Sequence, residues 1–188
     1  MEVDGGVNTP PFRTIAAGES VTCGVKASDG ALLCWGKYTW VSMDSFSDVA
    51  VGYEHACALR TNGTIACFGS NSSGQASPPG GLFSDVSAGK WHSCGVRDDG
   101  AIECWGNNNI GQSDEPAGEF TDLALGDLHG CAVKTNGGVS CWGSNIHGES
   151  LPPIDITVGV TIGGDIACDS AQGASCYRED FCTLLVLD

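Results

Sequence analysis

The sequence predicts an all-β protein of stacked repeats arranged as a propeller or part of one. Three observations carry that expectation: a self-similar unit of about 37 residues, a turn signal at the centre of each unit, and no amphipathic helical period of useful length. The segment Phe46-Ser-Asp-Val-Ala-Val-Gly52 returns as Phe83-Ser-Asp-Val-Ser-Ala-Gly89 and as Phe120-Thr-Asp-Leu-Ala-Leu-Gly126, with a weaker copy at Phe12-Arg-Thr-Ile-Ala-Ala-Gly18. The steps are 34, 37 and 37 residues. Eleven positions after each Phe stands a cysteine, at Cys23, Cys57, Cys94 and Cys131, and a second follows at Cys34, Cys67, Cys104 and Cys141. An aromatic and a glycine come next: Trp35-Gly36, Phe68-Gly69, Trp105-Gly106 and Trp142-Gly143.

Within a unit the elements follow in order. In Cys57-Ala-Leu-Arg-Thr-Asn-Gly-Thr-Ile-Ala-Cys67, two β-prone runs flank Asn62-Gly63, a dipeptide that favours tight reversals because both residues tolerate positive φ. Asp29-Gly30, Asp99-Gly100 and Asn136-Gly137 hold the same place. The two cysteines lie nearly equidistant from that turn and therefore face each other across antiparallel strands. A second turn follows each aromatic-Gly pair, as in Asn107-Asn-Asn-Ile-Gly-Gln112, and leads to a connector. A unit of three or four short strands cannot bury its faces alone, so neighbours must stack, radially in a propeller. The expected organisation is a leader at 1–11 and repeats at 12–45, 46–82, 83–119 and 120–153. A degenerate fifth repeat or a cysteine-containing tail fills 154–188: Ile154-Asp-Ile-Thr-Val-Gly159 resembles the start of a unit, while Cys168, Cys176 and Cys182 follow at unmatched intervals.

The motif Phe-x-Asp-Val-x-x-Gly-x-x-His-x-Cys, then Asp/Asn-Gly, then Cys-Trp-Gly and a Gly-Gln turn, resembles the regulator of chromosome condensation repeat over residues 12–153. Its cysteine-bearing form is similar to repeats in the extracellular domains of crinkly-type plant receptor kinases and in exported bacterial proteins. The resemblance implies a β-propeller, commonly seven-bladed, used as a rigid platform for protein recognition. It also implies a second function class, a guanine nucleotide exchange factor or regulator of a small GTPase in the cytosol, for which the chain shows neither seven repeats nor an insertion long enough for a nucleotide-displacing wedge.

Composition narrows the partners. Lys and Arg number 8 against 23 Asp and Glu, a formal net charge of -15. Eight dispersed cations do not build the basic face that nucleic acid or an anionic membrane surface requires. No apolar run approaches the roughly 18 to 20 residues of a membrane-crossing helix, and no membrane insertion is expected. Met1 to Pro10 carries Glu2 and Asp4 and no apolar core of a secretory signal.

Of the candidate chemistry, the cysteines speak most clearly. Bridges Cys23–Cys34, Cys57–Cys67, Cys94–Cys104 and Cys131–Cys141 are expected, with sequons at Asn62-Gly-Thr64 and Asn71-Ser-Ser73 as glycosylation candidates, and the chain is read as extracellular or secreted. The alternative is eight buried thiols in a reduced cytoplasm. The pairs are too widely spaced for zinc ligation. His55, His92 and His129 share one repeat position; a three-histidine metal site is one reading, and a structural role, bonded to neighbouring backbone, is the one adopted. No catalytic constellation, metal or cofactor is expected. Functional signal lies where the repeat stops repeating, in the pair between each Gly and the histidine position: Glu19-Ser20, Tyr53-Glu54, Lys90-Trp91 and Asp127-Leu128. Tyr53, Glu54, Lys90, Trp91, Asp127 and Leu128 are the expected partner-binding residues, in a position that carries aromatics in the bacterial β-lactamase inhibitory propeller of this family. Lys37, Tyr38 and Trp40 form a second candidate patch. The partner expected is a protein, with self-association through open blade edges also anticipated.

Overall fold

The computed structural model describes residues 10–152 and four two-residue strands beyond them. Two units are distinguished, 1–150 and 151–188. The second contains β14 (Thr161–Ile162) paired with β15 (Ile166–Ala167), and β16 (Ser175–Cys176) paired with β17 (Cys182–Thr183). The fifth-repeat expectation for 154–188, the pairing of Cys168, Cys176 and Cys182, and the first nine residues of the leader lie outside the described residues.

In the first unit each repeat folds into one antiparallel meander, a blade. Blade one is β1 (Phe12–Ala17), β2 (Val21–Lys26), β3 (Leu32–Gly36) and a short β4 (Trp40–Ser42). Blade two is β5 (Phe46–Val51), β6 (His55–Arg60) and β7 (Ile65–Gly69). Blade three is β8 (Phe83–Ala88), β9 (His92–Arg97) and β10 (Ile102–Gly106), and blade four is β11 (Phe120–Leu125), β12 (His129–Lys134) and β13 (Val139–Gly143). The fold is all-β, a four-bladed partial propeller.

Every first strand carries a bulge after its Phe, so that Phe46 opposes Arg60 while Asp48 opposes Leu59. The extra residue turns positions three apart onto one side. That explains the Phe-x-x-Val spacing: Phe46 and Val49 both face blade one, where they pack with Ala56, Ala58 and Ala66 against Val21, Cys23, Val25 and Leu32. The pattern repeats where Phe83, Val86 and Trp105 meet Cys57, Leu59 and Ile65, and where Phe120, Leu123 and Trp142 meet Cys94, Val96 and Ile102. Each blade thus has a leading face, set by its Phe, and a trailing face, set by its cysteine strand. Burial of one such Phe contributes about 2–3 kcal/mol.

Polar links follow the same order. Gly63, at φ +83°, ends the hairpin turn by donating its N–H to the Arg60 carbonyl at 2.9 Å. Its own carbonyl accepts the Phe83 N–H of the next blade at 2.7 Å, as Gly30 does for Phe46 and Gly100 for Phe120. A second link joins side chain to main chain: the Gln75 carbonyl accepts the Trp105 indole N–H at 2.9 Å, and the Gln112 carbonyl that of Trp142 at 3.0 Å. The Gln75 side chain closes its own turn, accepting from the Ser73 amide and donating to Ser70. Glu149 holds this place in blade four, accepts from Ser144 Oγ and the amides of Ile146 and His147, and is lowered by those bonds to about 2.

Candidate functional site

The four variable pairs sit on a backbone fixed from both sides. In each, the glycine N–H bonds forward across the loop: Gly18 to the Val21 carbonyl, Gly52 to that of His55, Gly89 to that of His92 and Gly126 to that of His129, at 2.8–3.0 Å. The carbonyl of the second pair residue accepts an amide from the far end of the blade, Ser20 from Lys37, Glu54 from Ser70, Trp91 from Asn107 and Leu128 from Ser144. Main chain makes these contacts, so side chains are free to differ. The glycines form a belt: a Cβ at Gly18 or Gly52 would collide with the carbonyl of Gly52 or Gly89 respectively, and one at Gly89 would lie 2.7 Å from the carbonyl of Gly126. Blades therefore meet here backbone to backbone.

The belt lines an opening of about 390 Å³ whose rim carries Glu19, Tyr53, Lys90 and Asp127, one from each blade. Tyr53 and Trp91 meet edge to face with centroids 6.4 Å apart, and Lys90 Nζ stands 5.0 Å and 4.9 Å from the two rings. Glu19, beside the Tyr53 hydroxyl and bonded to it, raises that phenol above its usual value. Of the expected residues, Tyr53, Lys90 and Trp91 come together, and Trp91 stays exposed. Asp127 is joined through its carbonyl to the Lys90 amide at 3.0 Å. Glu54 turns aside to an ion pair with Lys37, which raises the lysine, and Leu128 is half-buried. The Lys37–Glu54 link has no signal in the repeat, and Glu19, a variable-pair residue outside the expected binding set, joins the rim. Glu19 shares Tyr53's repeat position, and that equivalence was the available signal. In the second candidate patch, Tyr38 and Trp40 stack at 5.6 Å, but Trp40 belongs to β4 and packs on the core between blades one and two. It is a structural residue.

All four disulfides are present, joining directly opposed residues with Cα atoms 4.0–4.1 Å apart. The histidines differ from expectation in their partner. His55 Nε2 pairs with the side chain of Ser93 in the next blade at 2.8 Å, and Ser93 Oγ donates onward to the Gln75 carbonyl. Gly130 holds the Ser93 register in blade four, and both ring nitrogens of the buried His92 lack a partner among the described residues. Burial lowers His55 and His92 to about 4. Among the described residues no three His, Cys, Asp or Glu side chains are grouped to hold a metal. Asn62 and Asn71 are both exposed; Asn62 Oδ1 accepts from the Thr64 amide and hydroxyl, and Asn71 is bonded to Ala76 and Ser77.

Against known proteins, the profile described as "Regulator of chromosome condensation (RCC1) repeat" matches residues 46–75, 83–112 and 120–149, one match in each of blades two to four. Blades two to four are RCC1 repeats. Blade one, outside those matches, has the same first three strands, bulge and disulfide. Among solved structures, the RCC1-repeat chain is similar to the CRINKLY WD40 ectodomain of the Arabidopsis thaliana receptor kinase ACR4, at 27% identity and a TM-score of 0.61 over 71% of this chain and 50% of that one. It is similar to the entire ectodomain of the Physcomitrella patens receptor kinase CR4, at 27% identity and 0.63 over 72% and 39%. Prp20p of Saccharomyces cerevisiae, solved with its binding properties to Gsp1p and histones, shares the fold at 16% identity and 0.63 over 73% and 46%. The RCC1-repeat chain thus spans about half the length of these solved chains or less. No curated protein matches it in sequence.

Proposed function

We propose that this RCC1-repeat chain is a non-enzymatic recognition scaffold that works outside the cell and binds a protein partner through the rim of its axial opening. The observation that carries this reading is the Tyr53–Trp91 pair with Lys90 across it: an aromatic wall, half-exposed, on a backbone tied to the glycine belt. Glu19, Glu54, Asp127 and Leu128 frame the wall. Anchors held this way lose little freedom on binding, so more of the contact energy remains as affinity. The cross-strand disulfides and the likeness to two receptor ectodomains support an extracellular setting, in which exposed Asn62 and Asn71 are glycan acceptors. The acidic surface favours a partner segment of positive charge, which long-range attraction would steer to the rim.

Photocrosslinking tests this. With benzoylphenylalanine at Trp91 of the full chain, an adduct with a protein of its surroundings is expected, and none at Ile110, which is exposed elsewhere. Tyr53→Ala with Trp91→Ala should weaken that partner about tenfold or more while leaving the thermal midpoint nearly unchanged. Equal crosslinking at both positions, or unchanged affinity in the double variant, refutes the assignment.

A further inference from the structure

We propose that the leading face of blade one and the trailing face of blade four are docking surfaces for each other in two copies of this chain. The internal interfaces supply the controls. Ile15 is 61% exposed where its equivalents Val49, Val86 and Leu123 are 5%, 5% and 7% exposed, and Trp35 is 42% exposed where Trp105 and Trp142 are 8% and 7%. At the other end Val139 is 46% exposed, while Leu32, Ile65 and Ile102 in its place are 0%, 7% and 5% exposed. The residue types remain those of a buried blade face.

Polar groups are matched across the same two ends. Inside the molecule a hairpin-tip glycine carbonyl accepts the next Phe N–H; at the ends, that register pairs Gly137 with Phe12. Asp85 Oδ2 accepts the Leu123 amide at 3.3 Å, and the corresponding pair is the exposed Asp122 with Ile15. The Gln112 carbonyl accepts the Trp142 indole, and its counterparts are Glu149 and Trp35. The one surface among the described residues with demonstrated complementarity to blade one's leading face is a trailing face, and blade four's is open. A second copy carries that trailing face and would seat through the same contacts that the molecule makes three times internally. Such contact is heterologous: each copy offers one face and receives the other.

Sedimentation equilibrium of the full oxidised chain across micromolar concentrations tests this. Association to twice the chain mass is expected. Ile15→Asp and Val139→Asp alter exposed positions, so both variants should fold, as far-UV circular dichroism would verify, and each alone should raise the dissociation constant about tenfold or more. Mixing the two variants should restore a one-to-one complex, since one contributes an intact leading face and the other an intact trailing face. Larger assemblies that both variants dissolve support the docking, as the same contact without closure. A monomer at all concentrations, association that neither variant weakens, or a mixture that stays monomeric overturns it.

Discussion

Blade three and blade four are written in nearly the same sequence, yet β9 is buried at His92, Ser93, Cys94, Gly95 and Val96 while β12 is buried only at Gly130 and Ala132. The difference is not propensity, because both strands carry a histidine, a cysteine and a valine in one register. It lies in the neighbour. β9 is covered on its trailing face by Phe120, Leu123 and Trp142, and among the described residues no further blade covers β12. Repeat sequence specifies a capacity for burial, and stacking realises it. A middle blade and an end blade should therefore respond differently to the same perturbation.

Acid should produce the largest effect, and it strikes the middle. His55 and His92 stand at about 4 in the folded chain against an ordinary value of 6.5. Above pH 6.5 both are neutral whether folded or not, and their environment costs nothing in proton uptake. As pH falls from 6.5 towards 4 the unfolded chain takes up protons first, so stability drops through that window and levels below it, by on the order of 3 kcal/mol per histidine. Urea unfolding at stepped pH would measure the drop, and His92→Leu should remove about half of it. A flat profile from pH 7 to 4 would show that the buried pair is solvated.

Alanine in the glycine belt comes second. Gly52→Ala places a methyl group against the next blade's backbone and 2.8 Å from His55 Nδ1, and should cost about 3 kcal/mol. At Gly126 the three nearest atoms all belong to half-buried His129 of its own blade, which has room to shift, so about 1 kcal/mol is expected. Equal losses in denaturant titrations would erase the distinction between middle and end.

The disulfides give the finest measure. Cys57–Cys67 and Cys131–Cys141 both span ten residues, so each constrains the unfolded chain by a similar amount, about 3 kcal/mol. Cys57 is also packed with Leu59, Ile65, Phe83 and Trp105, whereas Cys131 is half-buried. Replacing both cysteines by alanine should cost roughly 1 kcal/mol more in the middle pair, through the cavity left behind. Thermal midpoints of the two double variants would order them.

Much of this was legible in the sequence, because the repeat makes its own alignment. Four copies fixed which residues are equivalent, and the strands, hairpin turns and cysteine pairs followed from β-prone runs placed symmetrically about Asn-Gly or Asp-Gly. What escaped detection was carried by main chain. The Gln75 carbonyl that holds Trp105 and the Gly63 carbonyl that holds Phe83 leave no side-chain signature, since any residue offers a carbonyl. The histidine's partner escaped for another reason. Ser93 is 38 residues from His55 and occurs in one blade only, so the repeat average conceals it. At the rim the variable positions were visible as breaks in the pattern, but which side chains would meet was not: Tyr53 and Trp91 occupy different places within their pairs and converge only because adjacent blades are rotated about the opening.

The tie between each hairpin-tip glycine and the first residue of the next blade has an evolutionary consequence. Each of the three junctions between blades one to four includes the same main-chain bond beside its apolar packing, so a whole unit such as 46–82 can be duplicated in place and find a ready-made seat on either side. Gain or loss within a strand would shift its register, whereas the connectors tolerate it, since the steps between units are 34, 37 and 37 residues. Genes of this kind should therefore lengthen and shorten in whole blades, with part-units surviving at their margins.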